Sequence, residues 1–202
     1  MTQTYTGSCH CGFIRYVVRI TLPPKNIEVK DRPRSEDVGV RIYKCNCSTC
    51  MKMNLLHLRP SHSPSDFAVL TPLTVEDGST LGDYLVFKRK HHWYFCRECG
   101  VHCFAFGSPD GTGSPHGEIV TVTRTSLGLT PPEGDVEVWR PKEAGWDEGR
   151  KGYLSINATT LDADQAGLDL REWHEKKWIA YVDCKDGVGM LREGEPHQGG
   201  VY

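Results

Sequence analysis

Lys44-Cys45-Asn46-Cys47-Ser48-Thr49-Cys50-Met51-Lys52 is the stretch from which the rest of the chain can be read. It holds three thiols, as a Cys-x-Cys step and a Cys-x-x-Cys step that share Cys47. Both steps suit a tight turn that folds its side chains back to one point. Thiolate sulfur is a soft donor, and a compact three-sulfur set favours zinc over magnesium, calcium or manganese. Three ligands leave a tetrahedron incomplete. Structural zinc sites are usually closed by four protein ligands, whereas catalytic ones keep a position for water or substrate. The stretch therefore reads as a zinc site with an open position.

Two further clusters flank it. Gly7-Ser8-Cys9-His10-Cys11-Gly12 lies upstream and Phe95-Cys96-Arg97-Glu98-Cys99-Gly100 downstream. Glycine beside each pair permits the positive φ of a metal-binding turn. Seven thiols then divide into four and three. Cys96 and Cys99 can close a site with Cys9 and Cys11, or with two of the central cysteines. The first pairing keeps the compact triple whole and strands no Cys-x-Cys pair, so it is preferred. A four-thiolate zinc joining distant turns would contribute folding free energy directly, which makes that site structural.

The remaining thiols are quieter. Cys103, next to Phe104 and near Phe106, reads as a small buried side chain or spare thiol, with a fourth ligand to the triple as the alternative. Cys184 has no partner nearby in sequence. His57, His91, His92 and His102 are scattered and are given no ligand role. The chain has nine cysteines, an odd number. Cys-x-Cys and Cys-x-x-Cys spacings in a chain without a secretory signal point to metal rather than disulfides.

Outward from the clusters, the pattern is of many short strands with little helix. Phe13 to Ile20 is rich in β-branched and aromatic residues, and Val38, Val40 and Ile42 alternate with Gly39 and Arg41. Asp66 to Val75 and Leu81 to Phe87 read as strands joined across the turn Glu76-Asp77-Gly78-Ser79. Lys88-Arg89-Lys90-His91-His92 reads as a solvated hairpin tip. Trp93 to Phe95, Tyr153 to Asn157 and Trp178 to Val182 are further strands, the last entered from a short helix over Leu168 to Trp178. Residues 107–152 are rich in glycine and proline, with strand character at Glu118 to Thr123 and Val136 to Trp139. They read as a long irregular insertion beside the open site or covering its entrance. The tail from Asp186 has few core residues and reads as surface-laid.

At 202 residues the chain fits one domain, residues 1–202, with an insertion at about 107–152. Its formal net charge of -2 is spread along the chain, which disfavours a dedicated nucleic-acid surface. The first twenty residues lack the apolar core of a secretory signal, and no apolar run approaches the ~20 residues that span a bilayer. A soluble cytoplasmic protein is expected.

The three clusters, in order and at these spacings, resemble the glutathione-dependent formaldehyde-activating enzyme family, which also includes centromere protein V. The resemblance covers about residues 3–106 and 153–187. It implies an all-β, β-tent fold with two zinc ions: a structural one on Cys9, Cys11, Cys96 and Cys99, and a labile catalytic one on Cys45, Cys47 and Cys50. It also implies a carbon–sulfur lyase that joins glutathione and formaldehyde into S-hydroxymethylglutathione. The chemistry agrees with the residues. A free thiol titrates near ~8.5, and a coordinating metal deprotonates it outright. The thiolate can then attack an aldehyde carbon, and the reverse step cleaves the C–S bond. Lys44, Lys52 and Arg59 are the nearby cations that could meet the carboxylates of a glutathione-like tripeptide. The rival readings are a non-catalytic zinc module for protein or nucleic acid, and a redox or metal-storage site.

Overall fold

A computed structural model describes residues 1–24, 39–107, 117–129, 132–143, 152–185 and 190–197. Its first strands are β1 (Thr2–Ser8), β2 (Arg15–Thr21) and β3 (Arg41–Cys45), followed by the helix α1 (Ser48–Met53) and β4 (His57–Arg59). Next come α2 (Ser63–Asp66), β5 (Phe67–Thr71), β6 (Gly82–Val86), β7 (His91–Phe95) and β8 (His102–Gly107). The chain continues through β9 (Gly117–Thr123), β10 (Asp135–Pro141), β11 (Tyr153–Asn157), α3 (Leu170–Glu175), β12 (Ala180–Asp183) and β13 (Met190–Glu193). The architecture is all-β, as the sequence indicates.

These strands form two sheets. One has the order β1-β2-β5-β10-β9, the other β13-β12-β3-β4-β11-β8-β7-β6. Pairing is antiparallel except between β12 and β3, which run parallel. Strand alternation sorts side chains to opposite faces. Tyr16, Val18, Phe67 and Val69 of the smaller sheet meet Ile42, Leu58, Phe104, Phe106 and Ile156 of the larger one in a shared core. The other face of the larger sheet carries Tyr43, Cys45, Trp93, Ala105 and Tyr153. Beyond the smaller sheet, Val17, Ala68 and Val138 form a separate apolar cluster.

Several elements differ from the sequence expectation. The central cysteines do not make a turn alone: Cys47 is the N-cap of α1, and the Met51 amide donates to the Cys47 carbonyl at 3.0 Å. Asn54 ends the helix in the left-handed region at φ 48°, a conformation asparagine tolerates. The 76–79 turn forms, with Asp77 accepting from the amides of Ser79 and Thr80 at 3.0 Å each. It does not close a hairpin, because β5 and β6 belong to different sheets. The helix expected over 168–178 shortens to α3, whose N-cap is Asp169. β1 and β13 were not foreseen.

The described part of residues 107–152 is more regular than an irregular insertion. β9 and β10 pair over their full length, from Asp135↔Thr123 to Pro141↔Gly117, and β10 joins the smaller sheet through β5. Trp139 meets Phe106 edge-on at 5.7 Å across the shared core. The cysteine triple lies on the opposite face of the larger sheet, so the described part of this segment does not cover it. The expected lid is therefore overturned for those residues; the rest of the segment lies outside the described residues.

Candidate metal centres

Two groups of cysteines come together, each with all its sulfurs within 4.8 Å of one another. The first is Cys9, Cys11, Cys96 and Cys99. The turn between β1 and β2 supplies the first pair, and the turn between β7 and β8 the second. Since those hairpins belong to different sheets, this cluster joins the sheets at one end of the core. Cys11 Sγ lies 3.5 Å from both Cys9 Sγ and Cys96 Sγ. Each turn is built alike. The Gly12 amide donates to the Cys9 carbonyl at 3.0 Å, and the Gly100 amide to the Cys96 carbonyl at 2.8 Å. Both glycines have positive φ, 77° and 73°. The Ile14 amide donates to Cys9 Sγ at 3.2 Å.

The second group is Cys45, Cys47 and Cys50. Cys45 closes β3, Cys47 caps α1 and Cys50 lies one helical turn on, so strand end and helix start aim the three at one point. Cys45 and Cys50 are buried and Cys47 is half-buried. Without a cation the three thiols cannot all ionise. Hydrogen bonds with Cys45 and Cys50 pull the Cys47 thiol far down, while those with Cys45 and Cys47, together with burial, push Cys50 far up. Cys45 is raised, chiefly by its bond to Cys47. Three thiolates at one point repel one another, and a bound cation would relieve that repulsion.

His57 belongs to this site, although its position in sequence gives little sign of it. Its Nε2 lies 3.1 Å from Cys50 Sγ, and its Nδ1 is 2.8 Å from Ser155 Oγ. The ring stacks on Tyr43 at 4.4 Å and meets Trp93 edge-on at 5.5 Å. Burial lowers its pKa to about 4, so the imidazole is neutral at pH 7. Among the described residues no histidine, aspartate or glutamate comes within 4.8 Å of all three sulfurs. His57 therefore supports Cys50 rather than completing a fourth position. Asn46 fixes the same turn from the other side. Its amide donates to Val182 O at 3.1 Å, and its side chain bonds Asp183 Oδ1 and the amides of Cys184 and Lys185.

Cys45 and Cys50 open into a cavity of about 390 Å³ on this face of the larger sheet. Tyr43, His57, Trp93 and Tyr153 form much of its wall, and Arg59 lies within it. Of the cations named from sequence, Arg59 alone lines this cavity. Alternation turns Lys44 to the other face of β3 from Tyr43 and Cys45. Lys52, on α1, borders a separate depression with Tyr84 and Phe95. Cys103 is a core side chain. Cys184, exposed, stands in the cavity wall.

No protein-family model matches this chain, and no curated protein matches it. Among solved structures, a crystal structure of a Rhodobacter sphaeroides protein is similar, at 17% identity and a TM-score of 0.37. The similarity covers 83% of this chain and 93% of the other. Among the described residues, no helix is long and apolar enough to cross a membrane.

Proposed function

We propose that the protein is a zinc-dependent carbon–sulfur lyase acting on a thiol adduct, of the kind the formaldehyde-activating family exemplifies. One observation carries this reading. Three sulfurs converge with no fourth ligand among the described residues, and two of them face a cavity. A closed cluster elsewhere in the same chain serves as the contrast, since it has four sulfurs and joins two sheets.

The donor sets fit zinc. Around a tetrahedral ion with Zn–S near ~2.3 Å, sulfurs stand ~3.8 Å apart. The separations of 3.5 Å in the closed cluster are close to that. Cys9, Cys11, Cys96 and Cys99 would hold a structural ion, and Cys45, Cys47 and Cys50 a second one. When bound there, that ion supplies Lewis acidity, which keeps a coordinating thiol deprotonated at neutral pH.

The chain's own residues do the rest. A thiolate accepts but cannot donate, so His57 carries its proton on Nε2 and donates to Cys50. Nδ1 then accepts from the Ser155 hydroxyl, which fixes the ring. Tyr43, Trp93 and Tyr153 wall the cavity and limit water, which would compete with a thiol for the aldehyde carbon.

The test is the exchange of formaldehyde and glutathione with S-hydroxymethylglutathione, followed by magnetisation-transfer NMR. Zinc-loaded protein accelerates the exchange over the spontaneous rate. No acceleration with this or any other thiol and aldehyde pair would reject the lyase, and the non-catalytic zinc module would take its place.

A further inference from the structure

The cavity beside the open cysteine triple is far larger than formaldehyde needs. Formaldehyde has two heavy atoms and takes ~30–60 Å³, the room of a water molecule or two. The cavity's 390 Å³ lies in the range of sites that enclose whole organic ligands. Its size comes from the sheet. On this face β8 offers only Ala105 and Gly107, so the His91 and Tyr153 side chains sit down over Gly107 and line the cavity that opens in front of them. Gly107 is required there: a Cβ would come within 2.8 Å of the His91 ring and 3.2 Å of Tyr153 Cβ.

Charge narrows the ligand further. Arg59 Nε donates to the Leu154 carbonyl at 3.3 Å, and the guanidinium lies 4.6 Å over the Tyr153 ring. Among the described residues no carboxylate pairs with it. Glu193 also lines the cavity, yet makes no ion pair with Arg59. A half-buried guanidinium held flat against an aromatic wall has an open edge suited to a planar carboxylate. Arg41 and Glu193 also line the cavity and are opposite in charge, which leaves one net positive group and suits a monocarboxylate better than a dianionic phosphate. Position completes the picture. His57 and Arg59 share one face of β4 two residues apart, which is ~7 Å along the strand. An anion on Arg59 thus stands about that far from the group next to Cys50.

We propose that this cavity binds the electrophilic partner of the reaction, and that this partner is an aldehyde with a flat apolar body and a carboxylate ~6–7 Å from its carbonyl carbon. The identity of the step rests on the lyase reading above; the binding does not. In that step the thiolate sulfur attacks the aldehyde carbon and one C–S bond forms. The C=O π pair moves to oxygen, which takes one proton from solvent, giving a hemithioacetal. Nothing is oxidised or reduced, and the reverse step restores both partners.

Two unreactive alcohols test the binding: 4-(hydroxymethyl)benzoate and benzyl alcohol, titrated calorimetrically into zinc-loaded protein without thiol. The carboxylate should bind at least ~10-fold more tightly, and Arg59→Gln should remove that advantage while leaving benzyl alcohol within about twofold. Equal affinity for the two alcohols in the unaltered protein would overturn the proposal, whether or not Arg59→Gln folds. So would a preference that survives in a folded Arg59→Gln protein. Turnover of 4-formylbenzoate with glutathione is then measured separately. Tight Arg59-dependent binding without turnover would uphold the cavity's specificity and remove the lyase. Turnover of formaldehyde with no preference for the carboxylated ligand would do the opposite.

Discussion

The Nε2 of His57 lies 3.1 Å from the Sγ of Cys50, and the other ring nitrogen is held by Ser155 at 2.8 Å. A thiol on a six-residue helix is thereby tied, through one imidazole, to a strand about a hundred residues later. Ser155 is fully buried. Ser155→Ala leaves Nδ1 without its partner in a place water does not reach. The expected cost is about 1–3 kcal/mol of stability, the usual desolvation penalty of an unsatisfied buried polar group. Urea unfolding at pH 7 measures it, and an unchanged midpoint would show that the ring is not held this way.

What the sequence disclosed and what it hid divide along contact distance. The cysteine clusters are short and carry their own signals, so the four-and-three division of thiols is legible from spacing. So is the burial of Ile42, Phe104 and Phe106, which follows from alternation. The partnership of His57 was hidden because Ser155 and Trp93 reach it only through sheet order. The β5–β6 turn misled for a similar reason: Asp77 and Gly78 specify a turn, but nothing local specifies which sheet each strand enters. α1 was hidden because three close cysteines suit a turn as well as a helix start. Only the geometry at Cys47 and Asn54 distinguishes the two.

Asn46 stands between two of the clustered thiols and spends its side chain on β12. Its Nδ2 donates to Asp183 Oδ1 at 2.7 Å, and its Oδ1 accepts from the Cys184 and Lys185 amides at 2.7 and 2.9 Å. Asn46→Asp removes the donor and sets a second carboxylate against Asp183. Asn46→Ala removes the bridge without adding charge. Both variants should release metal from the triple faster than the parent, with the aspartate variant faster, and chelator competition by a chromogenic dye reads the rates. Equal release rates in all three proteins would show that the bridge does not hold the site.

Gly7 lies on β1 under the ring of Tyr16. A Cβ there would fall 2.2 Å from Tyr16 Cζ and 2.3 Å from its hydroxyl oxygen. That hydroxyl is 2.7 Å from Thr160 Oγ1 inside the core, so the ring cannot move without losing a buried bond. Gly7→Ala should therefore destabilise by about 1–3 kcal/mol, the ordinary cost of overpacking. Far-UV and near-UV circular dichroism during thermal unfolding distinguish a lowered midpoint from a lost fold. A midpoint equal to the parent's would mean that the two strands separate more easily here than the packing implies.

The two cysteine groups should respond differently to loss of one ligand. Cys96 and Cys11 come from hairpins of different sheets, and Cys96 is fully buried. Cys96→Ser takes away the joint between the sheets and should yield insoluble or partly unfolded protein. Cys45, Cys47 and Cys50 instead lie within one strand end and one helix start, anchored by the pairing of β3 with β12 and β4. Cys47 is also the most exposed of the three and packs at the edge of its cluster. Cys47→Ala should fold with an unfolding midpoint near the parent's and keep about one zinc per chain, bound by the closed four-sulfur set. It should also lose thiol-adduct exchange. Elemental analysis, calorimetry and the NMR exchange assay on one preparation read all three. Full activity in Cys47→Ala would remove the open triple from the reaction. Loss of both zinc ions would instead show that the two sites fold as one unit.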